Sequence, residues 1–134
     1  MTYQDSTPKV VIYACSGACN LGQIASEAVR TLDELGQGVM GSSIGVAARN
    51  PSEIALASRA SLRVIVDGCS DSCLLKVFRN AGLPIDRHVV VDELGVETKH
   101  DFHYSEEQVA AVASMIHEAI EESPAEDNLL LAAV

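Results

Sequence analysis

Apolar positions along this chain switch between two rhythms. Short β-branched runs, Lys9 to Ala14, Leu62 to Val66 and His88 to Val91, read as buried strands. Between them lie helical stripes. From Gly22 to Leu35, apolar residues fall at Ile24, Ala25, Ala28, Val29, Leu32 and Leu35, and Gly36 and Gly38 stop the run. A weaker strand is predicted over Val39 to Ile44, thinned by Gly41 and two serines. Asn50-Pro51-Ser52-Glu53 marks a helix start, with Asn50 as cap, Pro51 in the first position and Glu53 as reciprocal cap. The helix then runs to about Arg59, its alanines suited to close packing on a sheet. A further helix is predicted over Ser72 to Asn80, ended by Gly82 and kept from restarting by Pro84. Glu93 to Tyr104 reads as a polar loop. Ser105-Glu106-Glu107-Gln108 is a capping box for a last helix, with Val109, Val112, Ala113, Ile116 and Ile120 on its inner face.

Four alternations of strand and helix predict an α/β fold. It is a doubly wound, Rossmann-like or flavodoxin-like parallel sheet of about four strands, order 2-1-3-4, with helices on both faces. The 134 residues suit a single domain, with a core over about 9–122 and a C-terminal tail over 123–134. That tail turns from acidic (Glu126, Asp127) to apolar (Leu129 to Val134), which offers a surface for a homodimer.

The four cysteines change the picture most, because they form two pairs of equal spacing. Cys15-Ser16-Gly17-Ala18-Cys19 follows the first strand, and Cys69-Ser70-Asp71-Ser72-Cys73 follows the third. In strand order 2-1-3-4 those strands are neighbours, and their helices leave to opposite faces. The crevice between them is where such folds hold ligands. Adjacent strands lie roughly 4.8 Å apart, so the two loops can offer four sulfurs to one zinc ion. Helix N-termini favour the resulting negative charge. Asp67 and Asp71 oppose it unless their side chains cap loop amides.

Net charge is −10, which argues against nucleic acid as a partner. No run of 18 apolar residues suggests a membrane span, and the polar start of the chain lacks a signal core. A cytoplasmic, reducing setting is the expectation, in which paired thiols bind metal or do redox chemistry.

The motifs Cys15-Ser16-Gly17-Ala18-Cys19-Asn20-Leu21-Gly22-Gln23, Asp67-Gly68-Cys69-Ser70-Asp71-Ser72-Cys73 and His88-Val89-Val90-Val91-Asp92-Glu93-Leu94-Gly95-Val96 have a joint resemblance. Over about Lys9 to Val112 the chain resembles the Asp-Gly-Cys (DGC) domain family. Its members are described as zinc-binding because they carry four cysteines able to chelate. The resemblance implies metal ligation by Cys15, Cys19, Cys69 and Cys73, and implies no reaction, substrate or protein partner.

Other side chains compete for attention. His100 and His103 are three apart in the polar loop, where one of them can add a ligand if the loop folds over the crevice. His88 and His117 read as structural or exposed. Ser42 to Gly45, with Arg49 beyond, borders the crevice and suits either an anion or a small-residue turn. Asn20 and Gln23 suit hydrogen bonds to sulfur or substrate, or helix capping. Phosphatase chemistry needs Cys-x5-Arg; Cys15 and Cys69 have leucine at that distance, and Cys73 reaches Arg79 only through an apolar helix. No dinucleotide or nucleoside-triphosphate fingerprint is present. Three alternatives to zinc stay open: an iron–sulfur cluster, a thiol redox or sulfur-transfer protein with thiols activated at helix N-termini, and a small-ligand module that uses the crevice without thiol chemistry.

Overall fold

The computed structural model describes residues 8–122. Four strands, β1 (Val10–Ala14), β2 (Val39–Met40), β3 (Leu62–Asp67) and β4 (Arg87–Val90), form a parallel sheet in the order β2-β1-β3-β4. Among the described residues five α-helices accompany the sheet: α1 (Asn20–Glu34), α2 (Ser43–Ala47), α3 (Pro51–Arg59), α4 (Cys73–Asn80) and, after the last strand, α5 (Glu106–Glu121). Helices on both faces complete the expected doubly wound α/β architecture.

Strand alternation sorts the core into two layers. Ile12, Ala14, Val64 and Val66 point toward α1 and α5 and pack on Leu21, Ile24, Ala28, Val112 and Ile116. Val11, Tyr13 and Ile65 point the other way, onto Val46 of α2, Ala57 of α3 and Leu74 and Phe78 of α4. Because both faces are covered, the central strands β1 and β3 read as continuous apolar runs. Two charged residues interrupt β3, Asp67 at its end and Arg63 near its start, the latter buried at 8 % exposure. Its guanidinium donates to the carbonyls of Ala57 (3.0 Å) and Ala60 (2.6 Å) and pairs with Asp86 at 2.9 Å, tying the end of α3 to the β3–β4 edge.

Local differences from the sequence reading have local causes. β2 stops at Met40, because the chain folds at Ser42 into the short helix α2. The Ser42 hydroxyl caps α2 by accepting from Gly45 N–H at 2.9 Å. Glu53 is not the reciprocal cap of α3. Its carboxylate reaches back to Ser42 N–H at 3.3 Å, while Asn50 caps through Ser52 N–H at 3.2 Å. A 3₁₀ turn, Val91–Leu94, takes up the last residue read as strand and opens the polar loop. The capping box at Ser105 and Gln108 forms as expected. The apolar tail, and with it the homodimer expectation, lies outside the described residues. Among the described residues no helix is long and apolar enough to cross a membrane.

Candidate functional site

The parallel register pairs Ala14 with Val66, so the two cysteine loops leave the sheet side by side. The ladder runs one residue further, with Cys15 N–H donating to Val66 O at 2.9 Å. Alternation then places Cys15 on the face of Val11 and Tyr13, against the α2–α4 layer. Cys73 opens α4 on that same face. Both thiols line a cavity of about 240 Å³, together with Ala14, Ser43, Ile44 and Leu74. Cys19 and Cys69 instead pack against the opposite layer, that of α1 and α5.

All four cysteines are free thiols; Cys73 is exposed and the other three are partly buried. They therefore gather at one end of the sheet but sort two and two across it. Among the described residues, no three His, Cys, Asp or Glu side chains stand close enough to hold a metal ion. Four soft sulfurs at one switch point suit a thiophilic cation in kind and number. Their convergence on one centre is not built into this conformation.

Two glycines, Gly22 and Gly68, let the loops lie this close. A Cβ on Gly22 would stand 2.5 Å from Gly17 N and 2.6 Å from Gly17 O, and one on Gly68 would stand 2.8 Å from Gly22 N. The first loop, the start of α1 and the second loop thus touch backbone to backbone. Gln23 braces the first loop by donating to Gly17 O at 3.2 Å.

Carboxylates hold the second loop. Asp67, at the end of β3, is 1 % exposed. It accepts from the N–H groups of Leu74 (2.9 Å) and Leu75 (3.2 Å) and meets His88 Nε2 at 2.8 Å. It caps α4 from a distance, since Ser72 at the cap position makes no side-chain bond and sits in left-handed backbone, φ 51°. Asp92 accepts from Ser70 N–H at 3.0 Å, while its own N–H donates to Gly68 O at 3.1 Å. The Asp of Asp-Gly-Cys and the Asp that ends His-Val-Val-Val-Asp are therefore supports of the cysteine loop. Asp71 is exposed.

Asn20 is neither helix cap nor sulfur partner; Cys19 occupies the cap position of α1. Buried at 3 % exposure, Asn20 donates to Glu97 O at 2.9 Å and accepts from Lys99 N–H at 2.7 Å, pinning the polar loop to the start of α1. His100 and His103 are exposed on that loop and share no donor cluster with the thiols. His88, read from sequence as structural or exposed, is the partner of Asp67. Arg49 donates to Asn80 O at 2.8 Å, and the Ser43 hydroxyl donates to Ala14 O at 2.7 Å, so both tie the serine segment to neighbouring elements.

Burial pushes the Cys15 thiol up, and the charges of Asp67 and Cys73 add to this. The N–H groups of Gly68 and Gly17 act in the opposite direction without cancelling it. The expected lowering by a helix N-terminus fails for Cys15 because α1 begins only at Asn20, beyond the reach of its first-turn dipole.

A four-stranded parallel sheet in the order β2-β1-β3-β4 with helices on both faces defines a doubly wound α/β domain. The chain belongs to the DGC domain family, whose model matches residues 11–116. No curated protein and no solved structure matches it.

Proposed function

We propose that this DGC domain binds one zinc ion through Cys15, Cys19, Cys69 and Cys73. The observation that carries the reading is the direct pairing of β1 with β3, which sends both cysteine loops out from adjacent strand ends. Membership of a family associated with metal binding supports it. So does the donor chemistry, because four free thiols at one sheet end match a borderline-soft cation. Since the sulfurs are sorted in two pairs, metal entry requires side-chain and loop rearrangement, and ligation is coupled to conformation.

A shell of four thiolates leaves no open coordination position, so the reading carries a metal-holding role and no catalytic step. Elemental analysis and an absorption spectrum of anaerobically purified protein test it. The expected result is about one zinc per chain with no visible absorption. Iron with visible charge-transfer bands would replace zinc by a cluster, and protein free of metal with four titratable thiols would refute the reading.

A further inference from the structure

The equal spacing within each loop invites the idea that Cys15 works with Cys19 and Cys69 with Cys73. The fold divides them otherwise. Cys15 and Cys73 line one cavity on the α2–α4 face, and Cys19 and Cys69 pack on the other layer. We propose that Cys15 and Cys73 are a cross-loop redox pair that closes to a disulfide over this cavity when a hydroperoxide reaches it.

The two thiols are unequal in a way that suits the chemistry. Cys73 is exposed at the first position of α4, where an oxidant meets it. Cys15 is half-buried beneath, in surroundings that are mostly apolar: Ala14, Ile44, Leu74 and Val77. In the first step the Cys73 thiolate attacks a peroxide oxygen. The O–O bond breaks, an S–O bond forms, and the leaving alkoxide or hydroxide takes a proton. In the second, the Cys15 thiolate attacks the Cys73 sulfenic sulfur. The S–S bond forms, the S–O bond breaks, and hydroxide leaves as water. Two thiols lose two protons and two electrons, and the hydroperoxide takes up both, ending as an alcohol (or water) and water.

For metal the consequence follows directly, and it rests on the zinc reading above. Disulfide formation removes two of four ligands, one from each loop. Oxidation then releases zinc, and bound zinc protects the pair from peroxide.

The test uses the full chain, reduced and stripped of metal, treated with stoichiometric hydrogen peroxide and quenched with an alkylating agent. Cleavage after Lys9, Arg30, Arg63 and Lys76 leaves the loops on peptides 10–30 and 64–76. A cross-loop disulfide joins the two peptides, and a within-loop disulfide does not. Fragment ions between the cysteines assign the sulfur. The expected product is Cys15 joined to Cys73, in about tenfold excess over any other linkage, because proximity raises their effective concentration. A Cys19→Ser chain gives the same product. Cys15–Cys19, Cys69–Cys73 or Cys19–Cys69 as the main linkage, or a statistical mixture, overturns the proposal. A parallel sample of the full chain, reduced and loaded with zinc before the peroxide is added, separates the two readings by the zinc held before oxidation and released after it. A Cys15–Cys73 linkage in a chain that never binds zinc refutes the metal role and leaves the redox pair standing.

Discussion

Replacing Asp67 by asparagine removes one charge and one acceptor from a site with no access to water. The carboxylate now serves Leu74 N–H, Leu75 N–H and His88 Nε2. If the amide oxygen keeps Leu74, the amide nitrogen faces Leu75 N–H, donor against donor, and His88 adapts only by changing tautomer. A hydrogen bond to a charged group is worth about 1.5–3 kcal/mol. The charge at the start of α4 adds about 0.3–1 kcal/mol, so the expected cost of Asp67→Asn is about 3 kcal/mol. Urea denaturation followed by far-ultraviolet circular dichroism measures it. With a slope of about 1.5 kcal/mol per molar, the midpoint falls by roughly 2 M. Because α4 begins at Cys73, the variant also frays the turn that carries this thiol, and its alkylation speeds up. His88→Gln should cost less on its own, and far less again in the Asp67→Asn background, as expected for two groups in one network. A loss below about 1 kcal/mol, within the range of an ordinary surface substitution, would show that Asp67 does not hold α4.

Three further outcomes are expected. Gly22→Ala drives a methyl group into the Gly17 backbone and should cost about 3 kcal/mol or prevent folding; Gly82→Ala, with nothing within 4 Å but φ +70°, should cost only about 1–2 kcal/mol by the same denaturation assay. Ser72→Gly should stabilise by up to about 1 kcal/mol, because it relieves a left-handed serine, and a destabilised variant would mean that the Ser72 side chain does more than span the turn. The Tyr13 phenol has no hydrogen-bond partner among the described residues, and burial, helped by Glu53 and opposed by Arg63, pushes its pKa up to about 12 from 10. Its contribution to stability is therefore intact below pH 10, where the phenol is protonated in both states. That contribution declines as pH rises from 10 to 12, where the unfolded chain ionises first, by on the order of 2–3 kcal/mol in all. Tyr13→Phe should remove that part of the alkaline loss in paired denaturation curves at pH 9 and pH 11.

Much of this molecule is written in local pattern. The β-branched runs and the spacing of Ile24, Ala28 and Leu32 determine strand and helix, and the alternation of the two determines a parallel sheet with both faces covered. The two cysteine loops at its switch point follow from that same alternation. Period-2 counting from Val11 through Tyr13 even indicates that Cys15 faces the α2–α4 layer. Contacts between distant segments are another matter. That Asp67 caps α4, that Asp92 holds Ser70 N–H, and that Asn20 pins residues 97 and 99 are bonds across 7 to 79 positions of chain. No periodicity encodes them, because side-chain hydrogen bonds depend on where whole elements land. The division of the thiols was decided at the same level. Equal spacing made the pairs within each loop look natural, and the opposite departures of α1 and α4 from the sheet set Cys15 beside Cys73 instead.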